Sequence, residues 1–234
     1  LKLGTTMLLP GRNPVRLAKE LATLDVLSAG RLLVTLVPGL PRPVESAASG
    51  VPRAERGARM DETLPLLRRL WAGETVTFDS GDVRLDGVRL EPLPVQQPLE
   101  VWTGGLVPAA LDRCGRLGDG WLPSACTPDE VAARRPVIEE AAERAGRTIS
   151  PEHFGVSIAY SLAPLDGSTV RLLASLRKGV DPVEVVPIGR DGLRAFIERF
   201  LDVGFSKFVV RPIQPVSWPA ELEALAESVL GLQT

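Results

Sequence analysis

The stretch that decides the fold is residues 101–121, "VWTGGLVPAALDRCGRLGDGW". A short apolar strand ends at Thr103, two glycines follow, and a predicted helix begins at about Pro108. A second short strand is predicted at 120–123. A strand, a helix and another strand in direct succession are typical of parallel strands joined by helical crossovers. The fold class therefore depends on how often this order recurs.

The same alternation runs along the whole chain. Six strands are predicted, in "LGTTML" (3–8) and at 31–37, 99–103, 120–123, 154–162 and 205–211. Predicted helices follow them from Pro14, about Ala54, about Pro108 and Pro128, then at 191–203 and 219–230, with an additional helical stretch near 168–178. This pattern indicates an α/β fold, and we expect residues 1–234 to form a single domain.

One segment, at about 74–97, interrupts the alternation of strands and helices. Within it, "VTFDSGDVRLDGVRL" alternates apolar and polar residues around two turn dipeptides, Ser80-Gly81 and Asp86-Gly87. Such alternation around short turns predicts an exposed β-hairpin excursion from the domain.

Parallel strands with helical crossovers form either an open sheet or a closed barrel. The glycine-rich phosphate fingerprints of an open dinucleotide-binding sheet, G-x-G-x-x-G and G-x-x-x-x-G-K, are absent from the sequence. A barrel is therefore favoured, and a parallel barrel of this kind needs about eight strands to close. We expect a (β/α)8 TIM barrel with about six of its eight units in this sequence, and roughly two units ahead of Leu1.

Composition excludes several classes of partner. A formal net charge of −2 over 234 residues gives no reason to expect nucleic acid. No apolar run approaches the roughly 18 residues that a membrane span needs. Two cysteines, Cys114 and Cys126, favour a reduced cytoplasmic setting, and one histidine with no Cys-x-x-Cys pair disfavours a metal site. We expect a cytoplasmic protein without metal, membrane or nucleic-acid partners.

The glycine pair in the opening stretch is the strongest candidate site. Gly104 and Gly105 lie between a strand and a helix N-terminus, where exposed backbone N–H groups bind anions. In a TIM barrel, the C-terminal end of a strand is where a phosphate binds. The alternative, that the two glycines only form a tight turn, stays open on spacing alone.

Three further segments place candidate residues at strand ends. Pro38 and Gly39 follow the strand "RLLVTLV", where a plain turn is the alternative. Thr6 carries a hydroxyl in the opening strand, which the β-propensity of threonine also explains. Arg211 ends the strand in "FVVRP", where a cation suits a phosphate or carboxylate, or else a surface salt bridge.

Other charged residues favour structural roles. His153 precedes a strand, at the barrel face opposite the usual active site. Asp61 and Glu62 lie on a helix among Arg56 and Arg59, which predicts ion pairing within that helix. Asp119 precedes a strand and is expected to anchor the turn before it.

Five segments in this order resemble the luciferase-like monooxygenase superfamily, specifically its branch of oxidoreductases that depend on the deazaflavin coenzyme F420. The resemblance covers nearly the whole chain. The segments are "LGTTMLLPGRNPVRLAKELATLDVLSAGR", "VESAASGVPRAERGARMDE", "PLPVQQPLEVWTGG", "RLGDGWLPS" and "GFSKFVVRP".

The resemblance implies a TIM barrel with its cofactor at the C-terminal mouth. The activity it implies is hydride transfer between F420 and a small organic substrate. FMN-dependent monooxygenation is the alternative within the same family, because both cofactors carry a phosphate that a glycine pair can bind. Members of the family are often homodimers, which leaves a homodimer open for this chain.

The resemblance also assigns residues to the cofactor. Gly104-Gly105 match the glycine pair that binds the phosphate tail, and Pro38-Gly39 match a loop lining that tail. Thr6-Met7 fall where members carry a non-proline cis peptide that backs the ring, and Arg211 matches the end of the eighth strand.

Two departures from the family pattern leave a further alternative. The strand before Pro38 usually reads G-x-G in the family, and Thr35 and Val37 stand at those positions here. The first two β/α units, which carry the family's catalytic residues, are expected ahead of Leu1, so no catalytic residue is assigned within the sequence. The chain could then be a shortened, inactive barrel with a binding or structural role.

Overall fold

Six parallel strands and one antiparallel hairpin make up the β-structure of the computed structural model, which describes residues 2–40, 42–81, 83–213 and 217–232. Each parallel strand lies within two residues of its predicted position. The strands are β1 (Leu3–Leu8), β2 (Leu32–Val37), β3 (Val76–Ser80), β4 (Val83–Val88), β5 (Val101–Thr103), β6 (Gly120–Trp121), β7 (Gly155–Tyr160) and β8 (Lys207–Pro212).

Helices follow the parallel strands in the expected alternation. They are α1 (Pro14–Leu27), α2 (Pro43–Ser49), α3 (Arg56–Trp71), α4 (Pro108–Leu117), α5 (Pro128–Arg144), α6 (Gly167–Leu176), α7 (Pro182–Val185), α8 (Gly189–Asp202) and α9 (Trp218–Val229). Short 3-10 turns lie at Arg53–Glu55, Pro151–His153 and Leu230–Leu232. None of these helices is long and apolar enough to cross a membrane, within the part of the chain that the structure describes.

Local sequence signals fix where the helices begin. The Asn13 side chain accepts a hydrogen bond from the Arg16 N–H at 3.0 Å, and proline takes the first position of α1. At α5 the Thr127 hydroxyl caps the Glu130 N–H at 3.2 Å, and the Glu130 carboxylate accepts from the Thr127 N–H at 3.0 Å. This reciprocal pair is a capping box, as the sequence indicates.

The parallel strands follow one another around a barrel wall. β1, β2, β5 and β6 form one parallel sheet in that order, and β7 pairs with β8. Bridges from Trp121 to Phe154 and from Ser124 to Ser157 join the two sheets between β6 and β7. The expected TIM-barrel class is confirmed, with six parallel wall strands in the described residues.

The interrupting segment forms the predicted type of structure. β3 and β4 pair antiparallel from Val76–Val88 to Ser80–Val83, with an irregularity after Val76. Phe78 and Val83 pack against the core beneath α1 and α3. The hairpin therefore lies outside the barrel wall.

Two hydrophobic cores lie between the wall and its helices. The first joins α1 and α3 to β1, β2 and β5, and the indole of Trp71 donates to the Ala18 carbonyl at 3.0 Å within it. The second joins α4, α5 and α8 to β6, β7 and β8 around Phe154, Phe200 and Phe205. Because residues alternate along a strand, side chains of the same strands that do not enter these cores face the barrel interior.

Asp119 anchors the turn before β6, as its position in the sequence predicts. Its carboxylate accepts from the Val101 N–H at 2.9 Å and from the guanidinium groups of Arg68 and Arg147 at 2.8 and 2.9 Å. The His153 Nδ1 lies 2.9 Å from the Asp119 carbonyl oxygen. Asp119 and His153 therefore both have structural contacts at the N-terminal end of the barrel.

The predicted pairing of Asp61 within its own helix is wrong. Its carboxylate instead accepts from Arg113 at 2.9 Å and from Arg116 at 3.3 Å, both on α4. Of the helix neighbours, Arg59 pairs with Glu62 at 3.7 Å. The α3–α4 contact decides the partner, because packing brings the buried Arg113 side chain against Asp61.

The segment after β2 holds a helix that the sequence analysis does not predict, between the turn at Pro38-Gly39 and the helix expected from about Ala54. In α2, Pro43 lies in the first turn, and Gly50 ends the helix in the left-handed conformation at φ 65°. Both are ordinary helix boundary signals. The helix has no buried residue, so it lacks the apolar periodicity from which a helix is predicted.

Candidate functional site

The loops after β2 and β5 lie side by side at the C-terminal end of the barrel wall. Leu36 is in register with Thr103, so the residues that follow each strand are neighbours. A β-carbon on Gly104 would lie 2.9 Å from the Leu122 carbonyl oxygen and 3.3 Å from a methyl carbon of Val37. The structure therefore brings the two predicted loops, Pro38-Gly39 and Gly104-Gly105, together.

The second of these loops presents unpaired backbone donors. Gly105 has φ +108°, which favours glycine, and its carbonyl oxygen accepts from the Trp121 indole at 3.0 Å. The N–H groups of 105–107 have no hydrogen-bond partner among the described residues, whereas the register of Leu36 with Thr103 directs the Gly104 N–H at the Leu36 carbonyl. They lie at the N-terminus of α4, which has no side-chain cap. Such a run of N–H groups is suited to an anion.

Two arginines add positive charge beside this loop. Arg134 donates to the Leu106 carbonyl at 3.3 Å and lies 3.7 Å from the Glu130 carboxylate. Arg177, from the segment between β7 and α8, donates to the same carboxylate. Because two guanidinium groups share one carboxylate, the group of three side chains keeps a net charge of +1.

The loop after β2 is held by two charged side chains. The Leu40 N–H donates to Glu45 at 2.6 Å, and Arg56 donates to the carbonyls of Pro38 and Leu40 at 3.3 and 3.1 Å. Gly39 has φ +86°, and a β-carbon there would lie 2.7 Å from the Glu45 carboxylate. Only glycine fits this turn without a shift of its neighbours.

A polar row lies below these loops on the interior side of the wall. Thr6 is in register with Thr35, and Thr35 with Trp102. Trp102 is 1% exposed, and its indole N–H has no hydrogen-bond partner in the parts of the chain described above. The neighbouring Met7 side chain packs into the core beneath α1 and α3, so it faces away from the interior.

The cis peptide implied at Thr6-Met7 is not observed. The cis peptide bonds of the described residues are Glu91-Pro92 and Gln97-Pro98. Thr6 and Met7 instead continue the regular pairing of β1 with β2, which runs without a shift from Leu3–Leu32 to Leu8–Val37. An unbroken ladder of this kind fits ordinary trans geometry.

Arg211 lies apart from the glycine pair. It is exposed on β8 in register with Ala159, and β6 and β7 separate β8 from β5. Phe208 and Val210 pack into the second core, so Arg211 faces the interior side. It has no hydrogen bond or ion pair with any described residue.

Other features of the molecule do not coincide with these loops. A cavity of about 250 Å³ lies between the β1–α1 loop, α3 and the hairpin, and no predicted site residue lines it.

Burial raises the pKa of the Cys114 and Cys126 thiols to about 12. Among the described residues, no group of three or more His, Cys, Asp or Glu could hold a metal ion.

Sequence reasoning missed three arginines of the site: Arg56, Arg134 and Arg177. Arg56 lies in a segment that supported the family resemblance, but its neighbours predicted helical ion pairing. No pattern of neighbouring residues marks Arg134 and Arg177 as a pair. They meet at Glu130, and Arg177 lies 47 positions from that residue in the sequence.

Comparisons with known proteins agree with the fold. An F420-dependent glucose-6-phosphate dehydrogenase of Mycobacterium tuberculosis (strain CDC 1551 / Oshkosh) is 30% identical over 174 residues, covering 70% of this chain and 51% of that protein. An FMNH(2)-dependent dimethylsulfone monooxygenase of Pseudomonas fluorescens (strain Pf0-1) is 28% identical over 186 residues, covering 78% and 50%. The chain thus spans about half the length of these curated relatives.

A solved structure and a family profile extend the match to most of the chain. The monooxygenase RslO1 from Streptomyces bottropensis superposes with a TM-score of 0.78 at 27% identity, over 99% of this chain and 78% of that one. The profile of the luciferase-like monooxygenase family matches residues 1–198. The chain therefore belongs to the luciferase-like monooxygenase family.

Proposed function

We propose that this protein is an oxidoreductase that transfers a hydride between coenzyme F420 and a small organic substrate. One observation carries the proposal: in the described part of the chain the N–H groups of 105–107 have no partner, at the N-terminus of α4 and the C-terminal end of the barrel wall. The phosphate of the cofactor tail would accept hydrogen bonds from these groups.

The residues around the loops fit a cofactor of this kind. Arg134 and Arg177 leave positive charge beside the donors, which favours an anionic tail. The exposed hydroxyl of Thr6 provides a polar group on the interior side, where the ring would lie. Arg211 faces the same interior from β8. The bound cofactor supplies the two-electron chemistry, and these residues bind and orient it.

FMN-dependent monooxygenation is the second candidate. It is supported by the similarity to the FMNH(2)-dependent monooxygenase, which is 28% identical over 78% of this chain. The loop donors suit the phosphate of FMN as well as that of F420.

A third candidate is an inactive barrel with a binding or structural role. It is favoured by the Val37 side chain, which occupies the space in front of Gly104. The proposal includes a small-molecule substrate. Light scattering would test whether the chain forms a homodimer.

A titration with F420 and with FMN, followed by fluorescence, tests the proposal. The matched variants are Gly105→Ala and Gly146→Ala, because both glycines have positive φ, at 108° and 68°. A β-carbon on Gly105 would lie 2.9 Å from the Ala110 side chain, whereas one on Gly146 would meet nothing within 4 Å. Only Gly105 lies at the barrel mouth.

We expect saturable binding of F420 by the wild type and weaker or no binding of FMN. Gly105→Ala should weaken binding about tenfold, because the added β-carbon displaces the loop. Gly146→Ala should bind as the wild type does. Binding of FMN alone would support the second candidate, and binding of neither cofactor would overturn both enzyme proposals.

A further inference from the structure

Arg56 is a buried cation at the start of α3, beside the loop after β2. It is 3% exposed, although arginine is rarely buried without a charged partner. All five of its hydrogen bonds go to neutral oxygens. They run to the carbonyls of Val51, Pro38 and Leu40 at 3.2, 3.3 and 3.1 Å, and to the hydroxyls of Ser46 and Ser49 at 2.9 and 3.4 Å.

No carboxylate forms a direct ion pair with this guanidinium among the described residues. The nearby Glu45 carboxylate accepts from the Leu40 N–H at 2.6 Å. One of its oxygens and a guanidinium nitrogen of Arg56 lie 2.7 and 3.2 Å from the position of a β-carbon on Gly39, so Glu45 compensates part of the Arg56 charge. Hydrogen bonds to neutral oxygens offset a further part of the cost of burial. The remaining positive charge favours an anion bound at the barrel mouth.

The contact with Pro38 also fixes the direction of a backbone donor. In a trans peptide the C=O and the following N–H point in opposite directions. Because the Pro38 carbonyl points at Arg56, the Gly39 N–H points away from it. That N–H has no partner in the described part of the chain. Gly39 lies on the loop beside Gly104-Gly105.

We propose that Arg56 is a positioning residue for the phosphate of the cofactor. It holds the turn at Pro38–Leu40 so that the Gly39 N–H adds a donor to those of 105–107, and it adds positive charge behind the turn. This inference rests on the proposed function, because it takes the anion to be the phosphate group of F420 or FMN.

The test compares ligands that differ only by the phosphate-bearing tail. For each protein, the dissociation constants of F420 and of its deazaflavin riboside without the tail are measured by fluorescence, and likewise those of FMN and riboflavin. The dissociation constant of the ligand without the tail, divided by that of the ligand with it, measures how much the phosphate-bearing tail contributes to binding. A role confined to folding would change both constants alike and leave the ratio as it was.

The variants are Arg56→Gln, Arg56→Lys and the control Arg53→Gln. Arg53 is exposed three residues earlier, and its side chain makes no contact with the loop. We expect Arg56→Gln to lower the ratio about tenfold, and Arg56→Lys to recover part of it, because lysine keeps the charge but not the forked geometry. Arg53→Gln should keep the wild-type ratio.

A milder variant covers the case in which Arg56→Gln fails to fold. Ser46→Ala removes one acceptor of Arg56 and leaves its carbonyl contacts in place, and we expect a ratio about threefold below the wild type. A wild type that binds with no phosphate dependence would contradict the proposed function itself. If binding by the wild type depends on the phosphate but the folded variants keep the wild-type ratio of dissociation constants, the role of Arg56 alone is overturned.

Discussion

A methyl carbon of Val37 lies 3.3 Å from the position that a β-carbon on Gly104 would take. The two residues end neighbouring strands, β2 and β5, whose last paired residues are Leu36 and Thr103. The contact joins the two loops on which the proposed cofactor site depends. It also places a branched side chain at the entrance between these strands.

Gly104→Ala should lower the free energy of unfolding by about 1–3 kcal/mol, the usual cost of overpacking. The new methyl would lie 2.9 Å from the Leu122 carbonyl oxygen, which the backbone cannot easily move. Adding Val37→Ala should recover less than half of the loss, since only the Val37 contact is relieved. Urea unfolding of the two single variants and the double variant measures this, and full recovery would show that Leu122 is not the obstacle.

Tyr160→Phe should destabilise the protein by about 1.5–3 kcal/mol, the range for a hydrogen bond to a charged group. The Tyr160 hydroxyl donates to Glu221, which is 5% exposed on α9 and also pairs with Arg190 at 2.9 Å. The variant leaves one buried carboxylate oxygen unsatisfied. The matched control is Arg194→Gln, which removes an exposed i,i+4 pair from α8 and should cost about 0.5 kcal/mol or less. Equal losses of stability for Tyr160→Phe and Arg194→Gln, measured by thermal unfolding, would contradict this account.

The carboxylate of Asp166 should stabilise the start of α6 down to unusually low pH. Hydrogen bonds from the Ser168 hydroxyl and the Thr169 N–H lower its pKa from 3.8 to about 2. A carboxyl group with a lowered folded-state pKa contributes stability above its unfolded value, and that contribution is lost as the pH falls from about 4 through about 2. Carbon-13 NMR of the carboxyl groups reads this directly. A midpoint near 4 would mean that the cap does not form.

Cys114 and Cys126 should resist thiol reagents in the folded protein. Burial raises both pKa values to about 12, so both side chains stay protonated and inaccessible at pH 8. We expect no reaction with a disulfide reagent such as DTNB over minutes under native conditions, and reaction of both thiols in denaturant. Rapid native labelling of either thiol would show that its surroundings open.

The sequence predicts the barrel wall well because its signals are local. Each wall strand is a short apolar run, and Asn13 and Thr127 mark helix starts through contacts with residues three positions away. The glycine pair was found for the same reason. Contacts made by packing were not predicted: Asp61 pairs with Arg113 on another helix, 52 positions away.

The charged surroundings of the site illustrate the same limit. Arg56 donates to the carbonyls of a loop 16 to 18 residues earlier, and no residue pattern marks a side chain that binds backbone oxygens. The family resemblance pointed to the loops at Pro38-Gly39 and Gly104-Gly105, which lie side by side, but it also implied a cis peptide at Thr6-Met7 that this chain does not show.

The central claim is that the backbone donors of 105–107 bind the phosphate of the cofactor. Amide chemical shifts in a 15N-labelled sample, recorded during titration with F420, test it most directly. We predict saturable shifts of the Gly105 and Leu106 amides, together with Gly39, while the distant turn glycine Gly146 does not move. Binding of F420 that leaves the Gly105 and Leu106 amides unchanged would contradict the account.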